Sequence, residues 1–331
     1  MNLKKITVVF SLLLFLSAQN AFAKRAPTQP NSYDGAAPTA RSMAMGEAGA
    51  GLAGFSDSYY YNSAMYGYSR EGTKAEVSGV IRRQSGASPS RVAEIDGSGS
   101  GLTSFIMIKD TGGLIWQALS NNSIRQNYSG GDYLNTETYI NSLAIVAGQK
   151  NEKGYSMGIN MTYLYGKIGE SSIIGGYPHS NVGSGNGFAL DLSLAVPAGN
   201  NVFFGMDLKN IAGFMFWNDY NTEQLPFIFR AGTGYHFKGF LFATDFEKKF
   251  YRFGDLQEEY LRFGFEQYIN GAICIRMGFV SDDSFDNDTY QYTYGFGLRI
   301  RSYELSAAAH QYKINNENFT KYLLSFSALI Q

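Results

Sequence analysis

The sequence predicts an all-β chain, a transmembrane antiparallel β-barrel of about fourteen strands, and three observations carry that expectation. Strand-length segments alternate large apolar residues with glycine, polar or charged ones, the period of two that a sheet with unlike faces requires. Beyond residue 23 no uninterrupted apolar stretch approaches the ~20 residues that a spanning helix needs. An export leader precedes all of this, so the mature chain works outside the cytoplasm.

The leader has a charged start at Lys4 and Lys5, a mostly apolar run from Ile6 to Leu16, and the small-x-small site Ala21-Phe22-Ala23. Residues 1–23 are therefore read as a signal peptide, 24–72 as an N-terminal segment and 73–331 as the barrel.

Composition removes other classes. Lys and Arg number 27 against 28 Asp and Glu, which leaves no surplus of positive charge for nucleic acid. One Cys cannot form an internal disulfide. With 38 Gly, 25 Phe and 24 Tyr against 7 Pro, the chain is rich in tight backbone and aromatic strand formers without looking disordered.

The strands are expected at 73–83, 101–109, 113–121, 137–149, 154–167, 187–196, 201–210, 225–237, 239–247, 257–269, 271–280, 290–301, 303–313 and 319–330. The clearest lie near the end. Ile273, Ile275, Met277 and Phe279 alternate with Cys274, Arg276 and Gly278, and Tyr292, Tyr294, Phe296, Leu298 and Ile300 with Thr293, Gly295, Gly297 and Arg299. A soluble sandwich would bury the large apolar face, whereas a membrane barrel turns it to lipid and lines the lumen with the rest. Alternation alone leaves both open. The connections favour the barrel: an even number of strands is joined alternately by longer and by short links, as periplasmic turns and external loops alternate in an outer membrane. Both termini then fall on the periplasmic side. Tyr155, Tyr163, Tyr165, Tyr290 and Tyr303, near strand ends, fit interfacial girdles.

Several patterns suggest chemistry that the context does not support. Gly49-Ala50-Gly51-Leu52-Ala53-Gly54 has the letters of a dinucleotide fingerprint but no preceding strand and no βαβ unit. Asp282, Asp283, Asp286 and Asp288 crowd one expected external loop without the spacing of a calcium loop. The Gly-Ser runs at 97–101 and 183–187 read as loop. His310 shares a face with Ser306, but neither an orienting acid nor an oxyanion site accompanies them. No enzyme activity, cofactor or metal is expected.

Three features are candidates for function. Arg230, Arg262, Arg276, Arg299 and Arg301 fall on expected inward faces with Asp191, Asp207, Asp245, Glu266 and Glu304. Mixed signs point to a paired network filling the lumen rather than a single-sign filter. An expected external loop at 211–220 concentrates Ile211, Phe214, Met215, Phe216, Trp217 and Tyr220, an apolar patch suited to docking a ligand or partner, or to folding on the rim. The small residues Gly46, Gly49, Gly51 and Gly54, with Asn62 beyond them, allow the N-terminal segment to pack inside the barrel as a plug or to cross its periplasmic face as a linker.

The same segment carries a family resemblance. Ala40-Arg41-Ser42-Met43-Ala44-Met45-Gly46-Glu47-Ala48-Gly49-Ala50, then Tyr59-Tyr60-Tyr61-Asn62-Ser63-Ala64-Met65, resembles the N-terminal signature of the FadL/PorV-type outer-membrane proteins. Ser63 stands where that signature has proline. Leu208-Lys209-Asn210-Ile211-Ala212-Gly213, Leu225 to Gly232, Leu261 to Glu266, Arg276-Met277-Gly278 and Tyr294 to Arg299 resemble the PorV/PorQ branch in order and spacing. The resemblance implies a fourteen-stranded barrel in outer-membrane lipid whose N-terminal segment enters or plugs the lumen. It implies passage of a hydrophobic small molecule or, alternatively, handling of a secreted or secretion-system protein as in type IX secretion.

Overall fold

The computed structural model describes Tyr33 and residues 37–68, 72–84, 94–95, 99–127, 131–251, 257–284, 287–314 and 317–330. The expected signal peptide lies outside them. In chain order the strands are β1 (Thr73–Gln84), the two-residue β2 (Glu94–Ile95), β3 (Gly99–Lys109), β4 (Gly112–Asn127), β5 (Tyr133–Lys150), β6 (Ser156–Ile174), β7 (Tyr177–Pro197) and β8 (Val202–Trp217). There follow the two-residue β9 (Glu223–Gln224), then β10 (Phe227–Phe237), β11 (Phe240–Phe250), β12 (Gln257–Ile269), β13 (Ile273–Ser284), β14 (Asn287–Ile300), β15 (Tyr303–Ile314) and β16 (Glu317–Ile330).

The fourteen long strands pair antiparallel, each with its neighbours around the ring, β8 passing directly to β10. The ring closes where β1 meets β16, from Thr73 opposite Ile330 to Gln84 opposite Phe319. Closure is what lets a sheet meet lipid, because an open edge would leave backbone N–H and C=O groups unpaired in hydrocarbon.

Burial decides between sandwich and barrel. On β13, Ile273, Ile275 and Met277 are 38, 43 and 56% exposed, while Cys274 and Arg276 between them are each 1% exposed. The large apolar side chains therefore point out and the small and charged ones in, the reverse of a soluble core. Aromatic residues pair along the outer wall: Trp116 donates its indole N–H to the Tyr165 hydroxyl at 3.0 Å, Tyr290 stacks on Phe279, and Tyr303, the first residue of β15, stacks on Phe326. Tyr155 instead lies in a turn, half-buried. Among the described residues no helix is long and apolar enough to cross a membrane.

Tight turns join the strands at the end where β1 begins and β16 stops. Lys238-Gly239 and Asn270-Gly271 each place two consecutive residues at positive φ, the mirror-image turn that matches strand twist. The other end is uneven. β4 to β8 run for 16 to 21 residues, whereas β10 and β11 have 11 each. At ~3.4 Å per residue the longest of these strands exceeds the shortest by about 34 Å along its own axis, which raises this part of the wall well above the rest.

This tall wall absorbs several expected loops. The 168–186 connection is a hairpin that turns at Gly175-Gly176, and the run at 183–187 belongs to β7. β13 and β14 pair through Asp282 and Asp283, so the acidic loop shrinks to a hairpin tip, with Asp286 outside the described residues. Most consequentially, 211–217 is not loop: β8 continues to Trp217 because its residues keep pairing with β7 from Gly185 to Leu190.

Candidate functional site

Residues 37–68 of the N-terminal segment lie inside the barrel. Helix α1 (Ala40–Ala44) is started by a capping box in which Thr39 Oγ1 accepts the Ser42 N–H at 3.0 Å and Ser42 Oγ accepts the Thr39 N–H at 3.1 Å. A short helix α2 (Ser58–Tyr61) and a 3₁₀ turn (Ser63–Tyr68) follow. The segment touches all fourteen long strands. Ser56 bonds Glu76 on β1, Ser104 on β3 bonds the Pro38 carbonyl, and Tyr59 bonds Gln117 on β4. The Ser63 turn seats against Gly148 on β5 and Gly158 on β6, and Asn62 donates to Leu194 O on β7 at 2.9 Å. Ala50 and Gly51 sit on Gly205 of β8 and Gly234 of β10, and Gly49 N–H meets Asp245 on β11. Arg41 reaches Glu266 on β12, Gly46 abuts Gly278 on β13, and Thr293 on β14 donates to Ala44 O. Ala308 on β15 and Ser325 on β16 complete the circuit against α1.

Inward-facing glycines make this fit possible. A Cβ on Gly205 would stand 1.7 Å from Ala50 O, and one on Gly158 or Gly278 2.2 Å from a backbone nitrogen of the segment. Of the residues expected to form a plug, Gly46 (φ 64°), Gly49, Gly51 and Asn62 are buried where a side chain or another residue would not fit. Gly54 has open space where a side chain would stand, lies at φ 87°, and accepts a hydrogen bond from Lys74 Nζ with its carbonyl. The wall glycines were legible as an inward alternation, but nothing in the sequence says what they face.

The inward charges expected from the sequence fall mainly into three groups, and Lys249 and Glu258 form a further buried pair at 3.1 Å. In the first, Glu266 bridges Arg41 at 2.9 Å and Arg276 at 2.6 Å, and Glu304 continues the chain to Arg276 and, at 2.7 Å, to Arg299. Burial opposes the charge of Arg41, but the carboxylates of Glu266 and Asp57 outweigh it and hold the guanidinium as a cation. In the second, Glu247 is gripped by Arg230 and Arg262, and Asp245 beside them accepts the N–H groups of Gly49 and Ala50 at 2.8 and 2.9 Å. In the third, Asp191 accepts Asn160 Nδ2 and Asn210 N–H, Asp207 is buried nearby, and Lys209 donates to the Tyr60 carbonyl at 2.9 Å. Arg301 belongs to none of them. It occupies the exposed turn between β14 and β15 at φ 55°, because β14 ends one residue earlier. Sequence reading missed Arg41, Glu247 and Lys209; Glu247 has the parity of Asp245, and Arg41 and Lys209 stand in the quoted motifs without partners.

Above the segment the inward wall carries an apolar cluster. Ile140, Leu164, Ile168, Ala189, Met215, Trp217, Tyr220 and Leu225 form one buried cluster, with Leu119 and Tyr33 against it. Strand parity splits the six residues expected to dock a ligand. Met215 and Trp217 point in, with Tyr220 following beyond the strand, while Phe214 and Phe216 point out and stack with Phe188, and Ile211 is 43% exposed. The alternating Gly183, Gly185 and Gly187 of β7 form the seat: a Cβ on Gly183 would lie 2.5 Å from the Tyr220 ring, and one on Gly185 2.5 Å from the Trp217 ring. Trp217 Nε1 donates to Glu223 at 2.8 Å, the Tyr33 hydroxyl donates to the same carboxylate oxygen, and Tyr220 donates to Glu170 at 3.3 Å.

Just below this chamber the wall ladder is interrupted. Between the pairs Leu190–Ala212 and Leu192–Leu208 a single residue, Asp191, faces Lys209, Asn210 and Ile211. This three-against-one bulge puts Asn210 at φ 55° and turns its N–H onto the Asp191 carboxylate at 2.8 Å. The ladder from β8 to β10 also stops here, at Lys209 opposite Ile228, and Asn210 Nδ2 spans to the Pro226 carbonyl. Side chains replace main-chain pairing on both edges of β8 at one level.

No family profile and no curated relative matches the chain. Solved structures do. The Ralstonia pickettii toluene transporter TbuX superposes with a TM-score of 0.66 at 11% identity, covering 90% of this chain and 99% of its own. The Pseudomonas putida toluene transporter TodX gives 0.65 at 11% identity, with 92% and 100% covered. A Pseudomonas aeruginosa FadL homologue gives 0.62 at 9% identity, with 93% and 99% covered. The fold is that of the FadL-type barrels.

Proposed function

We propose that this protein is a non-enzymatic outer-membrane channel for hydrophobic small molecules. The observation that carries the reading is the apolar chamber of Met215, Trp217, Leu164 and Ile168 in a lumen that the N-terminal segment otherwise fills. A pore for polar solutes needs a lining that is polar throughout, whereas here the cluster above the segment is mainly apolar with Glu223 and Glu170 at its polar ends, and an apolar site with few polar groups suits a small ligand. Likeness in fold to two toluene transporters supports the same reading. A molecule held in the chamber has two ways onward: past the segment, or through the wall at the Asp191–Asn210 bulge, where only side-chain bonds hold β8.

A role in handling secreted proteins, as the PorV/PorQ branch would imply, draws on one observation. The tip of the tall hairpin exposes Ile174, Tyr177 and Val182, at 55, 73 and 65%, an apolar edge suited to a protein contact.

Uptake of toluene by a diderm host that expresses the protein tests the proposal. Wild type should raise the initial uptake rate over an empty-vector control, and Ala189→Phe, which fills the chamber, should return it to baseline with normal heat-modifiable gel mobility. Uptake equal to the control overturns the channel reading.

A further inference from the structure

Tyr33 occupies the chamber as a ligand would. Its ring packs on the cluster that contains Trp217 and Leu225, and its hydroxyl donates to Glu223, the carboxylate that also receives Trp217 Nε1 at 2.8 Å. Tyr33 comes from the N-terminal segment, 190 residues away in sequence, so the contact is tertiary and not imposed by the strand that carries Glu223. The second polar end of the chamber has the same character: the Tyr220 hydroxyl donates to Glu170 and accepts from Asn181 Nδ2 at 3.0 Å.

We infer that the chamber takes a small aromatic molecule bearing a hydroxyl group, which displaces Tyr33 and donates to Glu223 in its place. This rests on the channel reading above and names its substrate class. An ionised carboxylate only accepts hydrogen bonds, so Glu223 selects a donor and repels an anion such as an aliphatic carboxylate. A plain hydrocarbon of the same shape fills the apolar seat but leaves that acceptor short of the partner Tyr33 supplied. Sites built to bond a hydroxyl discriminate strongly against analogues that lack it. The chain thus carries a tethered phenol on the seat, and a free phenol competes with it on equal chemical terms.

The test uses the full-length protein in detergent with Trp116→Phe, which leaves Trp217 as the reporter; Trp116 lies on the outer wall, away from the chamber. Its emission is followed while p-cresol or toluene is added. The expected result is that p-cresol binds at least about tenfold more tightly than toluene, the value of one charge-assisted bond. Glu223→Gln should shrink that preference, and Tyr33→Phe, which weakens the tethered competitor, should tighten p-cresol binding several-fold. Equal affinity for p-cresol and toluene overturns the inference while sparing the channel reading, as does Tyr33→Phe binding p-cresol no more tightly. Binding of neither compound by a heat-modifiable, assembled barrel takes both down.

Discussion

Asp245→Asn isolates how firmly the N-terminal segment is held. The carboxylate accepts the N–H groups of Gly49 and Ala50 at 2.8 and 2.9 Å with its Oδ2, and it is 1% exposed. Charge-assisted bonds are worth about 1.5–3 kcal/mol each and neutral ones about 1. An asparagine keeps the shape and one acceptor oxygen, so the substitution converts two strong bonds into two ordinary ones. The net loss is about 1–4 kcal/mol, which raises the population of segments lifted from β11 by about 5- to several-hundred-fold. Hydrogen exchange of the 45–55 backbone in purified protein reads that population, because those amides exchange only when the segment lifts. Planar-bilayer recordings on the same sample should show more frequent conducting events. An exchange rate within threefold of wild type, on a barrel that migrates normally, would refute the argument that Asp245 anchors the segment.

Four further outcomes follow from the same geometry. Deleting residues 40–55 should raise bilayer conductance, and an unchanged conductance would mean that the lumen is closed by something else. Trp217→Ser should impair ligand capture while Phe216→Ser leaves it intact, since parity turns one ring into the chamber and the other onto Phe188; equal loss from both would contradict that assignment. Met277→Arg places a charge on the outward face at a residue 56% exposed, and should cost about 2–4 kcal/mol of barrel stability near the bilayer midplane, measured by urea unfolding in liposomes; tolerance of the arginine would undo the inside-out reading. Burial pushes the Tyr59 and Tyr66 phenols well above their ordinary value of 10. An unseated segment would ionise them near that value, so the seated state is favoured in full below pH 10 and loses ground above it; conductance should climb reversibly in that range, and a flat alkaline profile would count against it.

Fourteen strands were legible because each wall strand keeps one parity over its length, as Ile273 to Phe279 does against Cys274 to Gly278. What parity cannot report is how far a strand continues once it leaves the membrane. Gly183 to Gly187 and 211–217 have loop-like and rim-like compositions, yet they form the two sides of one ladder, with small residues opposite large ones. The glycines exist to seat Trp217 and Tyr220, a relation between two segments that neither shows alone. The charge network was legible strand by strand through Arg230, Arg262, Arg276 and Glu266, and only partly assembled. Its missing members, Arg41 and Glu247, meet those residues across the lumen or from the last position of an expected strand. Arg301 was misplaced by a single residue, enough to move it from wall to turn. The segment itself was recognisable from small residues and motif, but its seating depends on wall glycines and polar side chains whose partners are distant in sequence, as Gly205 is from Ala50 and Gly278 from Gly46.

The account stands most directly on what the lumen holds in the native membrane. Gentle-detergent purification followed by mass spectrometry of extracted small molecules and of co-purifying proteins should find a bound hydrophobic compound in wild type that Ala189→Phe lacks. A stoichiometric protein partner, with no small molecule in either sample, would contradict the channel and favour a role in secretion.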